Sequence, residues 1–129
     1  MNIKLKRCQN FHHEAMRLAD EAIHLRRLRD KKGFAQRTLQ AFEKERRAAE
    51  MVASDLGLEP TRSVLHRSAA VLAIECGKLR EAERLIAVAL SGNPPEFVAE
   101  QLRDLLFDVY SGKSSQRKRR PFSKTAQVV

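Results

Sequence analysis

The chain has no tryptophan, one tyrosine, two cysteines, four prolines and five glycines in 129 residues. Each scarcity excludes something. Two cysteines, Cys8 and Cys76, do not make the framework of a small disulfide-stapled domain, so a reducing, cytoplasmic setting is the expectation. So few glycines and prolines leave little turn chemistry for an all-β chain, and no glycine-rich phosphate loop exists. No apolar run approaches the roughly 18–20 residues that span a bilayer, and the N-terminus lacks the apolar stretch of a secretory signal. Acidic residues are missing from both ends. Residues 1–10 hold Lys4, Lys6 and Arg7, and residues 113–129 hold Lys113, Arg117, Lys118, Arg119, Arg120 and Lys124. These nine cations account for the whole net charge of +9, so residues 11–112 are neutral.

What remains is rich in Ala, Leu, Arg and Glu, a composition that favours helices. Asn10 is the expected cap of a first helix over 11–29, with Ala15, Leu18, Ala22 and Leu25 at spacings of three and four. Asp30-Lys31-Lys32-Gly33 reads as a break. A second helix is expected over 34–56, with Leu39, Phe42, Ala49, Val52 and Leu56 inward and Gly57 as a left-handed stop. Thr61 suits the cap of a third helix over 62–76, and Gly77-Lys78 a tight turn. A fourth helix is expected over 79–90, closed by Gly92. Asn93, Pro94 and Glu96 compose a capping box for a fifth, which ends near Tyr110. Short connections between such helices imply antiparallel neighbours. The predicted organisation is a basic arm (1–10), an all-α domain (11–112) and a basic, disordered tail (113–129).

Residues 63–94 carry a further pattern. Gly77 occupies a turn, Ala82 and Ala89 are small residues flanking bulky Ile86, and Pro94 closes the segment. Ala69, Ala70 and Ala73 are small positions of the preceding helix. In this register the segment resembles one tetratricopeptide repeat of 34 residues, with His66 where the family has tryptophan. Residues 11–56 resemble a degenerate, elongated version, and the fifth helix resembles the one that closes such arrays. The resemblance implies two antiparallel helical hairpins plus a capping helix. It also implies a non-catalytic adaptor that binds protein in a groove lined by Val64, Arg67, Ser68, Val71, Ile74 and Glu75, with the partner completing the array.

Groups that could carry chemistry are sparse. Cys8, His12, His13 and His24 do not have the spacing of a zinc site, and neither a metal nor a cofactor is expected. Ser63, His66, Ser68 and Glu75 share one helix, whereas a triad needs groups converging from different elements. No enzyme is expected. The cations are more informative. Residues 24–47 have a net charge of +6, with Arg26, Arg27, Arg29, Lys31, Lys32, Arg37, Arg46 and Arg47 as candidate contacts to an acidic partner or to nucleic-acid phosphates. Arg117, Lys118, Arg119 and Arg120 are candidates in the tail. Four consecutive cations there suit nucleic acid, another polyanion or a nuclear address in a eukaryotic host. The alternative function is therefore a nucleic-acid-binding accessory protein without sequence preference.

Overall fold

The computed structural model describes residues 2–112. Among them are five helices and no strand: α1 (Ile3–Arg27), α2 (Lys31–Met51), α3 (Thr61–Glu75), α4 (Leu79–Leu90) and α5 (Glu96–Tyr110). The expected tail at 113–129 lies outside the described residues. No helix among the described residues is long and apolar enough to cross a membrane.

The first helix starts at Ile3, not at residue 11. The Asn2 side chain accepts a hydrogen bond from the Lys4 N–H at 2.9 Å and caps it, while Asn10 stands exposed within the helix. The reason for the extra turns is Cys8. It lies three residues before Phe11 and seven before Ala15 on the same helical stripe, is buried, and its thiol donates to the Ala48 carbonyl at 3.3 Å. From Ile3 onward the expected basic arm is therefore helix, and Lys4 pairs with Asp55.

The second helix also differs from expectation. Asp30 accepts from the Gly33 N–H at 2.8 Å, so Asp30-Lys31-Lys32-Gly33 is a cap and first turn rather than a break. The helix ends at Met51, and turns occupy the following residues. Gly57 is not in the left-handed region, and Leu39 and Leu56 are exposed rather than inward. The buried stripe is Thr38, Ala41, Phe42, Glu45, Ala48 and Ala49, at spacings of three and four. Contacts pair Cys8 with Ala48, His12 with Glu45 and Glu21 with Arg37. Residue numbers rise on one helix as they fall on the other, so α1 and α2 run antiparallel.

The third helix is the centre of the molecule. Every residue from Arg62 to Ala70 is buried, as are Leu72, Ala73 and Ile74. Its small residues (Ser63, Ser68, Ala69, Ala70 and Ala73) let neighbouring helices approach closely on several sides. Its start is capped by Glu59, which accepts from the Ser63 N–H at 3.0 Å, and Thr61 is its first residue rather than its cap. Gly77, at φ +75°, makes the turn into α4, where a side chain would be strained. On α4, Ala82, Leu85, Ile86 and Ala89 are buried.

A single guanidinium joins three parts of the chain. Arg62, buried on α3, donates to the Ala53 carbonyl after α2 at 2.7 Å. It also donates to the Val88 and Ala89 carbonyls at the end of α4, at 2.9 and 3.4 Å. Carbonyls of a last helical turn have no intrahelical donor, and a cation there opposes the helix dipole. This explains Gly92. It does not close α4 with a left-handed residue; a Cβ at that position would overlap the Arg62 guanidinium. The expected capping box of α5 is also not formed. Glu96 is the first helical residue, after both prolines, too early to reach back to Asn93, and it accepts from Arg103 instead. Val98, Leu102, Leu105 and Val109 form the buried seam of α5, each contributing about 1.5–3 kcal/mol by its burial.

Candidate functional site

The six groove positions on α3 do not line an open groove. Val64, Arg67, Ser68 and Ile74 are buried, and Val71 and Glu75 are half-buried. The physical reason is coverage: this chain's own α2, α4 and α5 pack around α3. The Arg67 guanidinium donates to Gln101 on α5, and burial lowers its pKa to about 10.

These residues belong to an interior polar layer. Glu45 on α2 is fully buried. Its two carboxylate oxygens lie 3.0 and 2.9 Å from Nδ1 of His12 on α1; burial raises its pKa, opposed by hydrogen bonding from His12 and, to a smaller extent, from Ser68 on α3. The carboxylate hydrogen bond pushes the His12 pKa up against the opposing effect of burial. Burial likewise raises the Cys8 thiol, with Glu45 adding to it. His66 Nδ1 donates to the Arg62 carbonyl at 2.7 Å, and burial lowers its pKa.

The order of groups in this layer decides its chemistry. A hydrolytic triad needs the histidine between the hydroxyl and the acid, so that the base touches the nucleophile. Here the carboxylate stands between Ser68 and His12, and Ser68 is buried. The layer therefore clasps α1, α2 and α3 together. Cys8 and His12 are engaged with Ala48 and Glu45, and burial raises the Cys76 thiol to about 11. Among the described residues no group of three or more His, Cys, Asp or Glu is arranged to hold a metal ion.

The basic residues of 24–47 divide into two groups. Arg26, Arg27, Arg29, Lys31 and Lys32 are exposed together at the α1–α2 turn. Among the described residues none of the five forms an ion pair with an acid, and the one acid between them, Asp30, is engaged in capping α2. Arg26 lies over the Phe34 ring, 5.1 Å from its centroid. The rest are elsewhere. Arg37 pairs with Glu21 at 3.0 Å and Arg46 with Glu50 at 2.9 Å. Arg47 lies over the Phe11 ring at 4.7 Å. Fourteen residues separate Lys32 from Arg46, about 20 Å along a helix axis. Arg46 and Arg47 are thus no part of one patch with the turn. Arg117, Lys118, Arg119 and Arg120 lie outside the described residues.

The turn stands clear of the remaining helices. The last buried residue of α1 is Ala22 and the first of α2 is Thr38, with none between them. An open cleft beside it is lined by Arg17, Asp20, Glu21, His24, Leu25 and Arg37, and Glu21 there already pairs with both arginines.

One feature of the turn has no sequence signal. Arg29 is at φ +64°, the only described non-glycine residue with positive φ. The Arg29 N–H bonds the Arg26 carbonyl and the Asp30 N–H bonds the Leu25 carbonyl, each at 2.9 Å. That is the Schellman ending of a helix, whose left-handed position is usually glycine. Arginine there costs about 1–2 kcal/mol. Comparison of the chain with protein-family models, with characterised proteins and with solved structures gives no match.

Proposed function

We propose that this chain is a small, non-catalytic interaction module, an adaptor built from two helical hairpins and a closing helix in the tetratricopeptide manner. Its docking surface is the outward side of α5 rather than a groove along α3. The observation that carries this reading is the pair Phe107 and Tyr110, exposed by 65% and 69% on a helix whose opposite seam is fully engaged. Exposed aromatics of this size are the common anchors of protein interfaces. In stacked helical repeats the next hairpin covers this side of the last helix, so a helical hairpin of a partner protein is the occupant. The register of Gly77, Ala82, Ile86, Ala89 and Pro94 supports the same reading.

The test compares the wild type with Phe107→Glu/Tyr110→Glu, in affinity purification from nuclease-treated extract. A partner that copurifies with the wild type should be lost, while far-UV circular dichroism stays unchanged. Undiminished recovery of that partner by a folded double variant would remove α5 from the interaction.

A further inference from the structure

We infer that the exposed end of the α1–α2 pair, residues 26–32, binds the phosphate backbone of duplex nucleic acid without sequence preference. The inference is independent of docking on α5, since its residues lie on other helices.

Three observations carry it. The first is charge without compensation. Arg26, Arg27, Arg29, Lys31 and Lys32 crowd one helix–helix turn, and among the described residues no acid pairs with any of them. Elsewhere on the same two helices Arg17, Arg37 and Arg46 all have acidic partners. Lys6, Arg7, Lys44 and Arg47 on these helices also form no ion pair with an acid among the described residues, and Lys44 and Arg47 lie over the Phe11 ring instead; what sets the end apart is the crowding of five cations into seven residues. The second is position. With nothing buried between Ala22 and Thr38, the end projects beyond the packed part and can approach an extended surface unobstructed. The third is Arg29. A left-handed arginine at a helix ending where glycine is the favoured residue is locally costly, and no described contact of its side chain offsets that cost. Strained backbone positions cluster at ligand clamps and other functional sites. The Arg29 guanidinium adds a forked donor set that matches two phosphate oxygens.

The chemistry of the partner follows from what the end lacks. Residues 26–32 are all exposed and polar apart from Leu28, so they offer no desolvated pocket of the kind that anchors a protein partner. Leu28, 63% exposed, is a single apolar side chain, too little to hold a protein on a lipid surface. Phe34 is half-buried beneath Arg26, so no bare aromatic is presented for stacking on the bases of a single strand. A densely charged duplex needs none of these. It binds cationic surfaces by releasing counterions, about 0.9 per phosphate neutralised.

The experiment uses the full chain and fluorescence anisotropy with two unrelated labelled DNA duplexes, over a series of salt concentrations. The wild type should bind both with similar, micromolar affinity at about 50 mM salt. Arg27→Gln/Arg29→Gln/Lys31→Gln/Lys32→Gln should weaken binding at least tenfold there. It should also make the slope of log K against log salt shallower by about 3 to 4. Residues 113–129 carry six further cations, so the contribution of the turn is read as the difference between wild type and variant. Arg46→Gln/Arg47→Gln, about 20 Å away along α2, should change affinity less than about twofold. Vesicles of phosphatidylcholine with phosphatidylserine serve as the lipid arm. The inference is overturned if the fourfold variant keeps wild-type affinity and slope, or if the Arg46/Arg47 variant loses as much as it does. It is equally overturned if the wild type binds neither duplex at low salt, or binds the vesicles instead.

Discussion

The two ends of the α1–α2 pair treat charge in opposite ways. At the packed end, Glu45 is buried and bonded to His12, and Arg62 and Arg67 on the neighbouring α3 donate to carbonyls and to Gln101. At the free end, five cations face solvent with no acid paired to them. The same residue types thus serve cohesion in one place and availability in the other. The difference lies in partner geometry rather than in local composition. A buried charge must be matched inside the fold, whereas an exposed one is left for an external counter-charge.

Substitutions should separate the two ends by the size of their effect on stability. The largest effect belongs to Arg62→Ala, which strips donors from three carbonyls at once and should cost about 4 kcal/mol in urea denaturation. Gly92→Ala, which forces a methyl group into the same guanidinium, should cost about 2–3 kcal/mol. A comparably large loss from any substitution at the α1–α2 turn would show that the free end also holds the fold together.

His12→Ala comes next, at about 2 kcal/mol, because it leaves the Glu45 carboxylate buried with less compensation. This site also has a pH signature. The His12 pKa is raised on folding by its hydrogen bond to Glu45. While Glu45 is ionised, this stabilisation is therefore fully present below the ordinary value of 6.5 and is lost as pH rises through the higher folded value; burial raises the Glu45 pKa, so its protonation sets the lower bound. Urea midpoints should fall between about pH 6 and pH 9 in the wild type, and fall less in His12→Gln.

At the free end the sign reverses. Arg29→Gly removes the left-handed penalty and should raise stability by about 1 kcal/mol, visible as a melting temperature several degrees higher, while weakening duplex binding. Arg27→Gln and Lys32→Gln should shift stability by no more than about 0.5 kcal/mol. Stabilisation of the fold alongside loss of binding at Arg29 would show that this side chain serves the bound partner at the expense of the fold.

The apolar pattern of the sequence alone marks several of these elements. The helix over 79–90 matches α4, and those expected for α3 and α5 end within a residue of the observed ends, because their seams (Leu65, Ala69, Leu72 and Ala73; Val98, Leu102, Leu105 and Val109) are apolar throughout. The start of α1 was hidden by three cations among its first residues, although Cys8, Phe11, Ala15, Leu18 and Ala22 follow one helical stripe. The apolar pattern places Leu39 and Leu56 inward, whereas the stripe of α2 runs through Glu45, a residue whose charge marks it as solvent-facing until a partner is known. Arg62 and Arg67 were obscured in the same way: only tertiary contacts from other helices make their burial tolerable. The division of the basic region required spatial separation and ion pairing, and the backbone state of Arg29 follows from how α1 turns into α2.

The Arg62 guanidinium has a consequence for how the molecule opens. It is bonded at once to the segment leaving α2 and to the end of α4, so neither can detach without giving up the other's anchor. Slow amide hydrogen exchange in α3 and at the end of α4 should therefore proceed through one shared opening event, with protection close to the global unfolding free energy. The α1–α2 turn should exchange from small fluctuations of its own. A partner could then reshape that turn without loosening the rest of the fold.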